Sequence, residues 1–307
     1  MTAADQHALR RERALRKRLE WRILLKHPAS LLMRLAAYTA AFLTVGVLLY
    51  LLVHNIVRGI PHLNGNLFAW KYSSENLSLV PALINTLIMT ALALLLAVPI
   101  GVGAAIYLVE YSQQTSKIIR VIRLTTETLA GIPSIVYGLF GSLFFVRFLG
   151  WGMSLIAGTC TMAIVILPLV IRSTEEALLA VPDAWREASY ALGAGKLRTV
   201  FTVVLPAAIP GILAGIILAT GRIVGESAAV MYTAGSVAEI PSGRNFFRDP
   251  VRTLAVHMYI LSSEGLHPGS SYATGLVLMV MVLILNTLSR YFAKRLRTKA
   301  GQKDANE

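Results

Sequence analysis

Charge is what this 307-residue sequence most conspicuously has little of. Only 15% of its residues are Asp, Glu, Lys or Arg, while 55% are hydrophobic; soluble domains carry roughly 25% charged residues. The deficit is uneven, because long charge-free windows alternate with short charged clusters, and a helix needs about 20 apolar residues to cross a bilayer. A soluble globular protein is thereby excluded. Cysteine is nearly absent too. The single Cys160 rules out an intrachain disulfide and, with no cysteine or histidine near it in sequence, reads as a small packing residue. His54, His62, His257 and His267 show no metal-ligand spacing, and no Ser-His-Asp or paired-carboxylate arrangement emerges. An enzyme active site has no support. Internal repeats and low-complexity tracts are also missing.

What is present are apolar windows over residues 35–57, 76–109, 128–146, 148–171, 199–221 and 265–289. The fifth opens with a Pro-containing loop, so its helix is expected from near Ile209 to about Met231. Six transmembrane helices follow, in an all-α chain. The expected organisation is a basic segment over 1–30, a first helix over 31–57, an external loop over 58–78, a five-helix core over 79–293 and a basic tail over 294–307. Within the core lie a cytoplasmic loop at about 173–208 and an external loop at about 233–272. Pro99, Pro133 and Pro168 fall inside windows and are expected to kink them. Twenty-two of the 29 basic residues fall on the side that holds both termini and six on the other, which places both termini in the cytoplasm. The net charge of +13 thus reflects membrane orientation and not nucleic-acid binding. Residues Arg10 to Lys26 form a basic lead-in suited to lipid headgroups. The stretch and the apolar run after it are both too long for a cleavable signal.

The sharpest local signal lies in the 173–208 loop: Glu187-Ala188-Ser189, Gly193 after three residues, then Val203, Leu205 and Pro206. This resembles the EAA loop of ABC importer permeases, with Ser189 for the second alanine and Val203 for the usual isoleucine. Independently of the resemblance, residues 181–192 suit a short amphipathic helix, with Pro182 early in it and Gly193 as its stop. Ala188, Ser189 and Ala191 would let a partner approach closely; the alternative is a helix lying on lipid alone. The neighbouring Gly193-Ala194-Gly195-Lys196 only imitates a phosphate-binding loop. Tyr190 stands at the first glycine position and Leu197 at the hydroxyl position.

In the fifth helix, Gly211, Gly215, Arg222, Gly225 and Glu226 fall on one stripe about 100° wide, with Gly221 as a further small residue for helix packing. Small residues mark close helix packing, so Arg222 and Glu226 point into protein or an aqueous cavity. Two readings stand: an i,i+4 ion pair that neutralises itself, or an arginine on an anion route or in a gating network. Arg172 with Glu175 and Glu176 reads as a related gate or as a snorkelling interface cluster. Glu110 and Glu127 are expected as solvated carboxylates at the cytoplasmic interface.

Residues 129–139, 224–233 and 253–259, together with the EAA-like loop, are similar to the phosphate ABC transporter permeases of the PstA type, over about residues 77–291. That resemblance implies the type I importer fold, a multi-pass protein of the bacterial cytoplasmic membrane, and import of inorganic phosphate by alternating access. Another oxyanion (sulfate, molybdate or phosphonate) or a gradient-driven secondary transporter are the other readings. The implied partners are a second related permease, two cytoplasmic ABC ATPases that use ATP and Mg, an external phosphate-binding protein and membrane lipid. This chain itself would hold no cofactor. Glu187, Ala188, Ser189, Gly193, Leu205 and Pro206 would dock the ATPases, and Arg172, Glu175 and Arg222 match charged positions associated with translocation in that family.

Overall fold

The structure, a computed structural model, describes residues 28–112, 117–265 and 267–303. The basic segment expected over 1–30 lies outside the described residues but for its last three positions, as does the end of the 294–307 tail. The chain divides into two compact units, Met1–Val57 and Arg58–Glu307.

The first unit is described by helix α1, Pro28–Gly59, whose last two residues enter the second. Its apolar side chains are exposed around the whole circumference, Phe42 at 79% and Tyr50 at 66%, as suits a helix solvated by hydrocarbon. At 1.5 Å per residue its 32 residues reach about 48 Å, enough to cross with tilt.

The second unit contains α2 (Val80–Ile106), extended by a π turn (Tyr107–Tyr111), then α3 (Lys117–Ala130) and α4 (Ser134–Gly141), the latter extended by a π turn (Ser142–Phe148). Next come α5 (Leu155–Leu179), α6 (Asp183–Ala191), and α7 (Lys196–Thr199), which runs through a π turn (Val200–Val204) into α8 (Leu205–Gly225). The last helices are α9 (Ala228–Thr233), α10 (Leu254–Ser263) and α11 (Pro268–Lys303). No strand occurs among the described residues. Five helical stretches are long and apolar enough to span a membrane, and the α3–α4 pair, bent by 100°, makes a sixth if taken as one span.

Helix α5 is the axis of this unit, packed chiefly against α2 and α8. Met89, Ala93 and Ala97 of α2 meet Met162, Val165 and Ile166 of α5, with Ala219 and Ile223 of α8 and Ala229 and Val230 of α9 completing the core. Helices in lipid gain no hydrophobic drive from meeting, so close packing must hold them. Small residues supply it. A Cβ at Gly211 would lie 2.6 Å from that of Ala177, and one at Gly215 would overlap the Ser173 side chain. By contrast, a Cβ at Gly221 or Gly225 would meet nothing within 4 Å. The expected glycine stripe therefore packs along its first half only.

Two helices depart from expectation. The third window is not a kinked helix: Gly131-Ile132-Pro133 breaks it. Pro133 caps α4 with ψ 140°, and its ring would clash with a continuous helix. The fifth helix begins at Lys196 and not near Ile209, because the widened turn over 200–204 carries the chain into Pro206 without a break. It ends at Gly225, short of Met231, as Glu226 turns extended with ψ 126°.

The end opposite α6 is closed by loop backbone. The free N–H groups at the start of α5 are taken up by Ser154 Oγ (from Ala157 N), by Asp249 O (2.9 Å from Leu155 N) and by Phe247 O (2.9 Å from Ile156 N). Asn85 Nδ2 of α2 donates to Glu239 O at 2.8 Å, and Thr86 Oγ1 accepts from Leu254 N at 2.8 Å.

Gly215→Ala is expected to destabilise the detergent-solubilised chain by about 1–3 kcal/mol through overpacking against Ser173. Gly221→Ala should be neutral or slightly stabilising from helix propensity. Unfolding temperatures of the two variants check this; equal values would contradict the packing described.

Candidate functional site

Charged side chains gather at the α6 end of the bundle. Helix α6 starts after Pro182, whose ψ of 136° makes it the cap, with Asp183 in the first turn where the helix dipole favours an anion. It stops at Gly193, whose φ of +83° suits glycine. Glu187 and Ala188 are exposed, and Ser189 Oγ lies 2.8 Å from Thr199 Oγ1. Leu192 (89% exposed), Leu197 and Trp185 make an apolar outer surface. A cavity of about 300 Å³ beside Trp185 is lined by Ala177, Val181, Ala207 and Gly211. Leu205 and Pro206 sit in the first turn of α8, with Leu205 against the Leu178–Val181–Val204 cluster. The structure thus gathers Glu187, Ala188, Ser189, Gly193, Leu205 and Pro206 around one short helix and the base of α8.

Glu110 is not the solvated carboxylate expected. It is buried, and its Oε1 accepts from Arg186 Nε at 3.1 Å and Nη2 at 2.8 Å. Arg186 also donates to Val181 O at 2.8 Å, Leu178 O at 2.9 Å and Asp183 Oδ1 at 3.2 Å. Arg186 did not stand out as its partner in the sequence, where the two are separated by 76 positions. The only local hint is an arginine beside Glu187 on a helix that otherwise faces outward.

A second charged group lies on the neighbouring face. Arg172 pairs with Glu176 at 3.0 Å, within one helix and exposed, whereas Glu175 pairs with Arg123 of α3 at 2.6 Å. With Glu127 and Thr126 they line a cavity of about 200 Å³. Sequence reasoning missed Arg123 as Glu175's partner; the amphipathic character of 117–130 was the available signal.

The Arg222–Glu226 ion pair is absent. Glu226 has left the helix and its Oε1 accepts from Ala229 N at 3.3 Å, capping α9. Arg222 is half-buried and forms no ion pair among the described residues. It lies within electrostatic reach of Tyr137, whose hydroxyl donates to Leu129 O at 2.8 Å and so bridges the α3–α4 break. The two helix breaks are neighbours, since a Cβ at Gly138 of α4 would lie 2.7 Å from Ala229 Cα. An unpaired guanidinium beside two helix breaks can receive an anion.

At the opposite end, Arg252 is buried over the Tyr72 ring, 4.8 Å from its centroid, and His257 meets the same ring edge-on at 5.9 Å. A cavity of about 350 Å³ lined by Trp70, Lys71, Tyr72 and Glu239 opens beside them. No group of three or more His, Cys, Asp or Glu arranged to hold a metal occurs among the described residues.

Residues 97–298 match the family of binding-protein-dependent transport system inner membrane components. The chain belongs to that family. As a permease of this kind it is 35% identical over 280 residues to the probable ABC transporter permease protein YqgI of Bacillus subtilis, covering 86% of this chain and 93% of that one. It is 38% identical over 221 residues to phosphate transport system permease protein PstA 1 of Mycobacterium tuberculosis, covering 70% and 71%. Among solved structures, the methionine ABC transporter MetNI in an inward-facing conformation gives a TM-score of 0.55 at 20% identity, over 71% of this permease and 94% of that chain. The PstA-type resemblance and the all-α importer permease fold read from the sequence are borne out.

Burial, with Arg252 nearby, pushes the His257 pKa down from 6.5 to about 4, partly held back by the Leu77 backbone. Between those values the unfolded permease takes up a proton that the folded one refuses, so His257 makes stability fall as pH drops from about 6.5 to about 4. His257→Gln should flatten that part of the unfolding-temperature profile. An unchanged slope would show that His257 is not its source.

Proposed function

We propose that this chain is the translocation subunit of an ATP-driven importer that carries inorganic phosphate across the bacterial cytoplasmic membrane by alternating access. The observation that carries the reading is the likeness, at 38% identity over 70% of the chain, to a permease named for phosphate transport. The geometry supports it through Arg222, a cation with no ion pair among the described residues, close to a helix break. Phosphate carries one to two negative charges near neutral pH, and a charge costs at least ~2.5–3.5 kcal/mol at the bilayer centre. One arginine offsets that penalty without trapping the ion.

In this reading both termini are cytoplasmic, the α6 end faces the cytoplasm, and Glu187, Ala188, Ser189 and Gly193 present α6 to two ABC ATPases, with Leu205 and Pro206 anchoring the base of α8. The exposed Trp185, Leu192 and Leu197 suit burial against such a partner. ATP and Mg are used by those partners, and this chain has no ATP site of its own. A second related permease completes the pathway, and a phosphate-binding protein delivers the ion at the Arg252 end. Arg172, Glu175 and Arg123 form ion pairs near the cytoplasmic mouth that rearrange as the pathway opens.

The test is ATP hydrolysis by the co-expressed complex in lipid, with and without phosphate-loaded binding protein. Stimulation by phosphate, and not by sulfate or molybdate, is expected; stimulation by another oxyanion reassigns the substrate, and a complex without any ATPase partner overturns the class. Arg222→Gln should assemble normally yet lose roughly a hundredfold in uptake, the size of the penalty it no longer offsets. Uptake near the normal rate would remove Arg222 from the route.

A further inference from the structure

Helix α6 has no buried residue by the standards of the core, yet the Arg186 side chain is only 13% exposed and its partner Glu110 5%. The guanidinium gathers three segments. It holds Glu110 in the last turn of the α2 span through two donors, the Leu178 carbonyl near the end of α5, and the Val181 carbonyl in the link to α6. Just beyond α6, the Lys196 ammonium lies 5.2 Å from the centroid of the Tyr111 ring. Cations on both sides of the Glu187–Gly193 segment therefore grip consecutive residues, Glu110 and Tyr111, in the π turn that ends α2.

The segments flanking α6 carry an apolar layer of their own, in which Leu178, Val181, Val200, Val204, Ala208 and Ile212 pack together, and a buried ion pair stabilises no more than an apolar pair of similar volume. Apolar contact is non-directional and does not by itself fix the orientation of a helix. A fork with two bonds to one carboxylate and two to backbone carbonyls fixes both position and orientation. At its other end, α2 is tied through Asn85 to the carbonyl of Glu239.

We propose that Arg186 and Glu110 are positioning residues that make α6 and α2 a single mechanical body. Displacement of α6 is thereby delivered along α2 to the loop around Glu239 instead of being lost as sliding. The proposal rests on the importer reading above, in which ATPases move α6 and the binding protein sits at the Glu239 end.

The experiment uses the whole complex in proteoliposomes and reads phosphate taken up per ATP hydrolysed, with co-purification of the ATPases as the assembly control. Arg186→Met combined with Glu110→Leu keeps an apolar contact and removes the fork. It should assemble and lose about tenfold in uptake per ATP, the upper range for coupling residues. Arg186→Cys with Glu110→Cys, in a Cys160→Ser background, should be equally poor until a bifunctional thiol reagent bridging the two sites restores coupling. Normal coupling in the apolar pair would overturn the proposal, as would transport blocked by the bridge, since the residues would then have to separate. Failure of both variants to assemble would also overturn it, by making the pair a scaffold. Failure of the importer reading itself looks different: the wild-type complex would not take up phosphate.

Discussion

Inside a bilayer no water is available to satisfy a backbone N–H or C=O, so every helix end and every interruption must be completed by the protein itself. Much of this permease is organised by that requirement. The break before α4 is closed by Gly131 N to Thr128 O at 3.1 Å, Ile132 N to Leu129 O at 3.1 Å, and the Tyr137 hydroxyl on the same Leu129 carbonyl. The break after α8 is closed by Glu226 N to Ile223 O at 3.1 Å and by the Glu226 carboxylate on Ala229 N. Buried threonines do likewise along the helices: Thr86, Thr161, Thr220 and Thr233 return their hydroxyls to carbonyls four residues back.

The same constraint sorts the charges. Arg186 with Glu110 and Arg123 with Glu175 pair their charges at one end of the bundle, where solvent is close. Arg252 settles on an aromatic face at the other. Arg222 alone among the arginines discussed has neither kind of partner in the described residues, and it owes that to the turn that carries Glu226 away. The carboxylate that would have neutralised the cation is occupied in capping α9.

Apolar run length decided the spans in advance because the bilayer imposes it regardless of neighbours, and the EAA-like loop was legible because its motif is local. Two of the misread features depend on residues far apart in sequence. Gly225-Glu226-Ser227 looks helical in isolation; the chain breaks there, where α9 packs tightly against Gly138. Glu110 looked like an interface carboxylate because Arg186 is 76 residues away. Pro206 suggested a loop, yet the widened turn over 200–204 lets the helix run through it. Of the glycine stripe, spacing showed which residues share a face but not at which of them another helix comes close.

The uninterrupted run from Lys196 to Gly225, 30 residues long, has a consequence in leverage. At 1.5 Å per residue, Arg222 stands about 39 Å along the rod from Lys196. A tilt of about 5° at Pro206, which softens the helix about 24 Å below Arg222, sweeps the guanidinium through about 2 Å, enough to make or break a hydrogen bond. A long arm with a soft foot turns a small angular input into a displacement on the scale of one hydrogen bond.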